Sequence, residues 1–133
     1  MVFDKQQSEF LDSQRVGHLA TCSSDLQPHC VPVCFAHLGE EIWIALDQKP
    51  KSGRTLRRVR NIQENPRVNL VFDHYEEDWS RLRFLMVDGV AQVGPLPSAP
   101  REKLRERYVQ YREMELRQGI RIRVERIVEW GGS

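Results

Sequence analysis

Residues 17–46 read "GHLATCSSDLQPHCVPVCFAHLGEEIWIAL", and this stretch decides how the chain is built. From Gly17 the apolar pattern has a period of two. Leu19 and Thr21 share one face, while His18, Ala20 and Cys22 share the other. Ser24-Asp25-Leu26-Gln27 is a turn candidate, and "PHCVPVCFAHL" then runs as one longer strand to Gly39. "EIWIAL" returns across Gly39-Glu40. Three short strands joined by tight connections form a meander, so a mainly β fold is expected.

The rest of the chain extends that pattern. Residues 4–14 read as a short helix anchored by Phe10 and Leu11. Pro50-Lys51-Ser52-Gly53 interrupts the strands, and "RTLRRVRNIQEN" (54–65) follows as a helix. Leu56, Val59 and Ile62 make its single apolar stripe. Pro66 ends it, because the residue before a proline disfavours the helical region. "RVNLVF" (67–72) and "LRFLMVDGVAQVG" (82–94) are strands on either side of the acidic stretch "DHYEEDWS". After Pro95 and Pro97 a third helix starts near Ser98 or Ala99, with Pro100 in its first turn. Leu104, Tyr108 and Tyr111 keep its helical spacing, and "IRIRVERIVEW" closes the chain as an alternating strand. The expectation is six antiparallel strands forming a small β-barrel, with a helix inserted midway.

Composition limits the choices. A chain of 133 residues is expected to be one domain over 1–133, burying roughly two thirds of its unfolded surface. No apolar run approaches the ~20 residues of a membrane span. The opening "MVFDKQQSEF" lacks a basic-then-apolar leader, and three cysteines suit reduced thiols, so a cytoplasmic location is expected. The net charge is only +1, but Lys49, Lys51, Arg54, Arg57, Arg58, Arg60 and Arg67 against Glu64 give a local charge of +6.

Cys30 and Cys34 lie roughly 13 Å apart on one strand face, too far for one zinc, and read best as buried thiols. No nucleophile elbow, HExxH motif or glycine-rich phosphate loop is present. The arginine-rich helix has two readings. It is either a solvated surface or an anion site, with Lys51 and Ser52 just before the helix and Arg57 and Arg58 diverging by ~100°. It carries no interleaved aromatics, so a small phosphorylated ligand suits it better than nucleic acid.

Taken together, "GHLATCSSDLQPHCVPVCF" and "KPKSGRTLRRVRNIQENPRVNLVFDHYEEDWSRLRFLMVDGVAQV" resemble the pyridoxamine 5'-phosphate oxidase-like, flavin-binding split-barrel superfamily. Within it they are most similar to the F420-dependent enzymes of the actinobacterial type. The resemblance spans about residues 8–128. It implies a homodimer of six-stranded split β-barrels, with cofactor held at the protomer interface. By the same resemblance Lys51, Arg57 and Arg58 hold the cofactor phosphate and Asn61 matches a polar position one turn later, while Ser52 joins the cofactor set by its place just before the helix. Val31-Pro32-Val33 lies along the ring, and Trp79 flanks it.

The cofactor implied is coenzyme F420, whose long anionic tail suits the basic patch, or else FMN. The function implied is an oxidoreductase passing a hydride to a small unsaturated or heteroaromatic acceptor. A binder of flavin, haem or tetrapyrrole is the non-enzymatic alternative. The chain departs from the relatives at Leu26, where they often have glycine, and it stops soon after Trp130. Oxidation of pyridoxamine phosphate itself is therefore not expected.

Overall fold

In the computed structural model, residues 2–47 and 55–131 are described. Strands β1 (Gly17–Cys22) and β2 (Pro28–Val33) form the expected hairpin, with Leu19 opposite Val31. The long second strand read from the sequence stops at Val33. The next segment, β3 (Ala36–Leu38), pairs with β4 (Glu41–Ala45) and not with β1. With β5 (Arg67–His74), β6 (Arg83–Pro95) and β7 (Gln118–Gly131), the sheet order is β2-β1-β5-β6-β7-β4-β3.

The two edges of the sheet, β2 and β3, are thus separated in the chain by Cys34 and Phe35 alone. A sheet whose edges are tied by two residues must coil until those edges lie side by side. The result is a barrel closed by covalent chain where the hydrogen-bond ladder is missing. This is the expected antiparallel split barrel. It has seven strands rather than six because the strand expected over 28–38 is two strands.

The break is stabilised locally. Phe35 is fully buried, and leaving the ladder would strand its backbone groups. Helix α3 (Ser98–Arg107) and the residue that ends it replace the missing partners. The Phe35 N–H donates to Tyr108 Oη at 3.1 Å, and its carbonyl accepts from Arg107 Nε at 2.9 Å. Pro28 and Pro32, which cannot donate to a ladder, both lie on β2, where an edge tolerates them.

Helix α3 ends sooner than its sequence period implies, and Val109–Glu113 continues as a 3₁₀ turn. Leu104, Tyr108 and Tyr111 nevertheless pack together, joining Trp43, Leu96 and Leu116 in a small second core. The main core lies inside the barrel, where Leu19, Leu70, Phe72, Leu85, Val87, Ile120 and Ile122 meet. Between β6 and β7 the register shifts at Asp88/Gly89, a bulge that bends the sheet. Gly89 is needed there, since a Cβ would fall 2.6 Å from the Arg123 carbonyl oxygen.

Helix α1 (Lys5–Ser13) starts with a capping box between Asp4 and Gln7, and it buries Phe10 and Leu11 as expected. Helix α2 (Arg57–Glu64) buries Val59 and Ile62, but Leu56 precedes the helix and is half-buried. The thiols are not core residues as the sequence reading held. Cys30 is exposed and Cys22 and Cys34 are half-buried, because the alternation of β2 turns Cys30 outward. Among the described residues no helix is long and apolar enough to cross a membrane.

On the outer side of the sheet, Val71, Met86 and Val128 occupy one cross-strand row, with Phe84 stacked on Trp130 beside it.

The first hairpin turn holds Leu26 at φ 67°, with its side chain 77% exposed. A non-glycine residue in the left-handed region costs roughly 1–2 kcal/mol, part of which glycine gives back as unfolded-state entropy. Leu26→Gly is expected to stabilise the protein by about 0.5–1 kcal/mol in urea unfolding. A destabilised variant would show that the Leu26 side chain contributes contacts this turn does not display.

Candidate functional site

Where the barrel is split, a cleft of about 350 Å³ opens. Val31, Pro32 and Val33 of edge strand β2 form one wall, and Ile44, Ala45 and Asp47 at the end of β4 form the other. Arg58 from α2 and Tyr111 from the 3₁₀ turn close the ends. Among the described residues β2 has a strand partner on one side only, so its outer edge has backbone polar groups not used by the sheet ladder.

Arg58 is the informative side chain. Its Nε is buried and has no hydrogen-bond partner among the described residues. A buried, unpartnered guanidinium nitrogen costs several times a normal hydrogen bond's net worth unless something accepts from it. Leu56 stands at the N-cap of α2, and among the described residues no side chain caps the helix, so its positive end adds to the local potential.

The residues nominated from sequence separate into groups. Val31, Pro32, Val33 and Arg58 come together in the cleft. Arg57 is exposed on the first residue of α2 and does not line it. Lys51 and Ser52 lie outside the described residues.

Asn61 corrects the sequence reading. It is 1% exposed, and its Nδ2 donates to Thr21 Oγ1 at 3.0 Å, tying α2 to β1. The helix turns Asn61 inward beside Ile62, where one of its amide donors serves the barrel, and the residue does not line the cleft. Trp79 sits in the 3₁₀ turn Trp79–Arg81, 69% exposed, with its indole N–H 3.5 Å from Tyr75 Oη. It does not line the cleft of its own chain.

Two cleft residues had no sequence signal. Tyr111 Oη donates to Asp47 Oδ2 at 2.7 Å across 64 positions. Burial pushes the Tyr111 phenol well above its ordinary value, and the Asp47 hydrogen bond and charge, with the Cys34 thiol nearby, push the same way. The cleft thus has a cation at one end and, at the other, a phenol held neutral against a carboxylate. That arrangement can bind an anion at Arg58 and a hydrogen-bonding ring between them.

With this geometry established, comparison with known proteins identifies the lineage: the chain belongs to the pyridoxamine 5'-phosphate oxidase family, whose sequence profile matches residues 3–131. It is 33% identical over 132 residues to the 5a,11a-dehydrotetracycline/5a,11a-dehydrooxytetracycline reductase of Streptomyces rimosus, covering 98% of this chain and 84% of that enzyme. A conserved hypothetical protein of Mycobacterium tuberculosis superposes with a TM-score of 0.74 at 26% identity, over 98% of this chain and 86% of that one. The haem storage protein HutZ of Vibrio cholerae shares the fold, with a TM-score of 0.72 at 18% identity over 98% and 95% of the two chains.

The Tyr111–Asp47 pair makes a testable pH signature. Above the ordinary phenol value of 10.0 the unfolded chain ionises Tyr111, while the folded chain keeps its proton. The stability this phenol supplies is therefore complete below pH 10.0 and is lost as pH rises above it. Unfolding free energy measured from pH 9 to 12 is expected to fall by roughly 1.4 kcal/mol per pH unit less steeply in Tyr111→Phe than in wild type. Parallel curves would mean that Tyr111 is solvated and not paired.

Proposed function

We propose that this member of the pyridoxamine 5'-phosphate oxidase family is a reductase. On this reading it holds coenzyme F420 in the barrel split and passes a hydride to a small unsaturated or heteroaromatic acceptor. The observation that carries the proposal is Arg58, whose buried Nε has no partner among the described residues and lies at the end of a cleft walled by Val31, Pro32 and Val33. A phosphate oxygen supplies the missing acceptor, and each charge-assisted bond to it contributes roughly 1.5–3 kcal/mol. The 33% identity to a dehydrotetracycline reductase supports reduction as the reaction class.

FMN is the second reading, because its phosphate satisfies the same arginine and the family's own name points to flavin chemistry. Storage of haem, suggested by the likeness to HutZ, finds less support. Among the described residues the cleft offers no histidine or methionine, and of the two haem-ligating residue types it does hold, Cys34 and Tyr111, the phenol is already donating to Asp47.

A bound deazaflavin or flavin would supply the hydride chemistry itself, so the reaction needs no protein group that carries the hydride. The work of this chain is binding and orientation. Arg58 would anchor the phosphate, and the exposed Arg57 beside it would add positive charge. The backbone edge of Val31–Val33 would orient the cofactor's ring system through hydrogen bonds, and Val33, Ile44 and Ala45 would exclude water from it. Tyr111, kept neutral by burial, fixes the Asp47 carboxylate at the far end.

The protein acts as a homodimer on this reading. The outward row of Val71, Met86 and Val128, with Phe84 and Trp130, is a surface that gains by being covered. Trp79, exposed on its own protomer, then flanks the ring from across the interface.

Replacing Arg57 and Arg58 together with alanine is expected to weaken F420 and FMN binding at least tenfold. The thermal transition is expected to stay nearly unchanged, since alanine is the better helix former and Val59 and Ile62 keep their burial. Wild-type affinity in the double variant would place the phosphate elsewhere and leave α2 a solvated basic surface.

A further inference from the structure

Asp47 is common to three adjoining spaces. It lines the cleft of about 350 Å³ that also holds Arg58, a cavity of about 560 Å³ beside Tyr108, and a third of about 370 Å³ beside Leu116. Its Oδ2 accepts from Tyr111 Oη at 2.7 Å, and burial keeps that phenol neutral. Among the described residues no basic side chain forms an ion pair with Asp47. The arginines lining the two outer spaces are engaged elsewhere, Arg15 with the Arg107 carbonyl and Arg117 with Glu115. The cleft therefore runs from an arginine at one end to a carboxylate, fixed by a neutral donor, at the other.

We propose that Asp47 tunes the bound cofactor: its charge disfavours the reduced ring relative to the oxidised ring, and so makes the reduced ring a stronger hydride donor. Tyr111 is the positioning residue that keeps the carboxylate turned into the cleft. The inference rests on the reading of this cleft as the cofactor's.

Charge balance gives the sign. Hydride donation removes two electrons and one proton from the ring, so the reduced ring is one negative charge richer than the oxidised ring unless it takes up a further proton. A fixed carboxylate repels that extra charge. The phosphate at Arg58 keeps the same charge in both states, so the anchor does not separate them. The second Asp47 oxygen retains acceptor capacity, and a hydrogen bond to it from a ring N–H present in both states favours them alike. The competing account is purely structural: the Tyr111 bond ties the turn after α3 to the end of β4. That role affects both affinities together, whereas a charge effect changes their ratio.

The test measures dissociation constants of oxidised and reduced F420, and of oxidised and reduced FMN, for the whole protein under anaerobic, mildly alkaline conditions. Asp47→Asn is expected to shift the ratio of the two constants roughly fivefold or more in favour of the reduced state, the order set by like charges in a half-buried site. Through the thermodynamic cycle, fivefold is a rise of about 20 mV in the potential of a two-electron couple. Asp47→Glu keeps the charge and is expected to keep the wild-type ratio, with Tyr111→Phe falling between wild type and Asp47→Asn. Arg58→Ala is expected to weaken both redox states without favouring the reduced one. An unchanged ratio in Asp47→Asn, or an equal loss of both affinities, overturns the role of Asp47 while the cofactor reading stands. A shift that Asp47→Glu reproduces also overturns it, because the charge is then not the cause. Failure of the wild type to bind either cofactor in either state overturns both readings.

Discussion

The structure depends on one constraint: Val33 and Ala36 belong to opposite edges of the same sheet, yet only Cys34 and Phe35 separate them. That tether forces the sheet to coil. It also prevents the ladder from closing, because β2 carries two prolines and β3 is only three residues long. An opening between β2 and the end of β4 follows, lined by a β2 edge that has no strand partner among the described residues. Phe35 fills the core beneath it, with its amide and carbonyl satisfied by Tyr108 and Arg107. The fold and the site are consequences of the same two residues.

The opening gathers side chains from distant segments. Arg58 arrives on α2, Asp47 from the end of β4, and Tyr111 from the turn after α3. Each contact is individually modest, since a satisfied hydrogen bond contributes only about 1 kcal/mol net. The exception is Arg58 Nε, which is desolvated with no partner among the described residues. His29 Nδ1 and the Nε atoms of Arg83, Arg101 and Arg105 are in the same state, and what singles out Arg58 among these groups is its place in the cleft lining.

Much of the framework was legible because it follows periods of two and of 3.6. The faces of β1, the burial of Val59 and Ile62 and the helical anchors Phe10 and Leu11 all follow from alternation or spacing. The split at Phe35 was not legible, because "VPVCFAHL" contains no glycine and its alternation runs straight through the break. The partners that stabilise it, Arg107 and Tyr108, lie more than 70 positions away.

The site shows the same division. Arg58 and Val31–Val33 could be named from local pattern and resemblance, and they do meet in one cleft. Asn61 could not be judged, because whether a helical amide faces ligand or barrel depends on Thr21, 40 positions earlier. The exposure of Cys30 follows from which face of β2 turns outward, a choice that tertiary packing makes. The Tyr111–Asp47 pair joins a loop to a strand end and leaves no trace in either segment alone.

The central claim is that Arg58 Nε is held open for a phosphate. The most direct measurement follows arginine side-chain Nε–H signals by NMR during titration with F420 and FMN, with the Arg58 signal assigned from its loss in Arg58→Lys. The account predicts that the Arg58 signal moves downfield and saturates with the cofactor, with slowed exchange, while the outward-facing arginines of β7 stay in place. An Arg58 signal that does not move while the cofactor binds would contradict it.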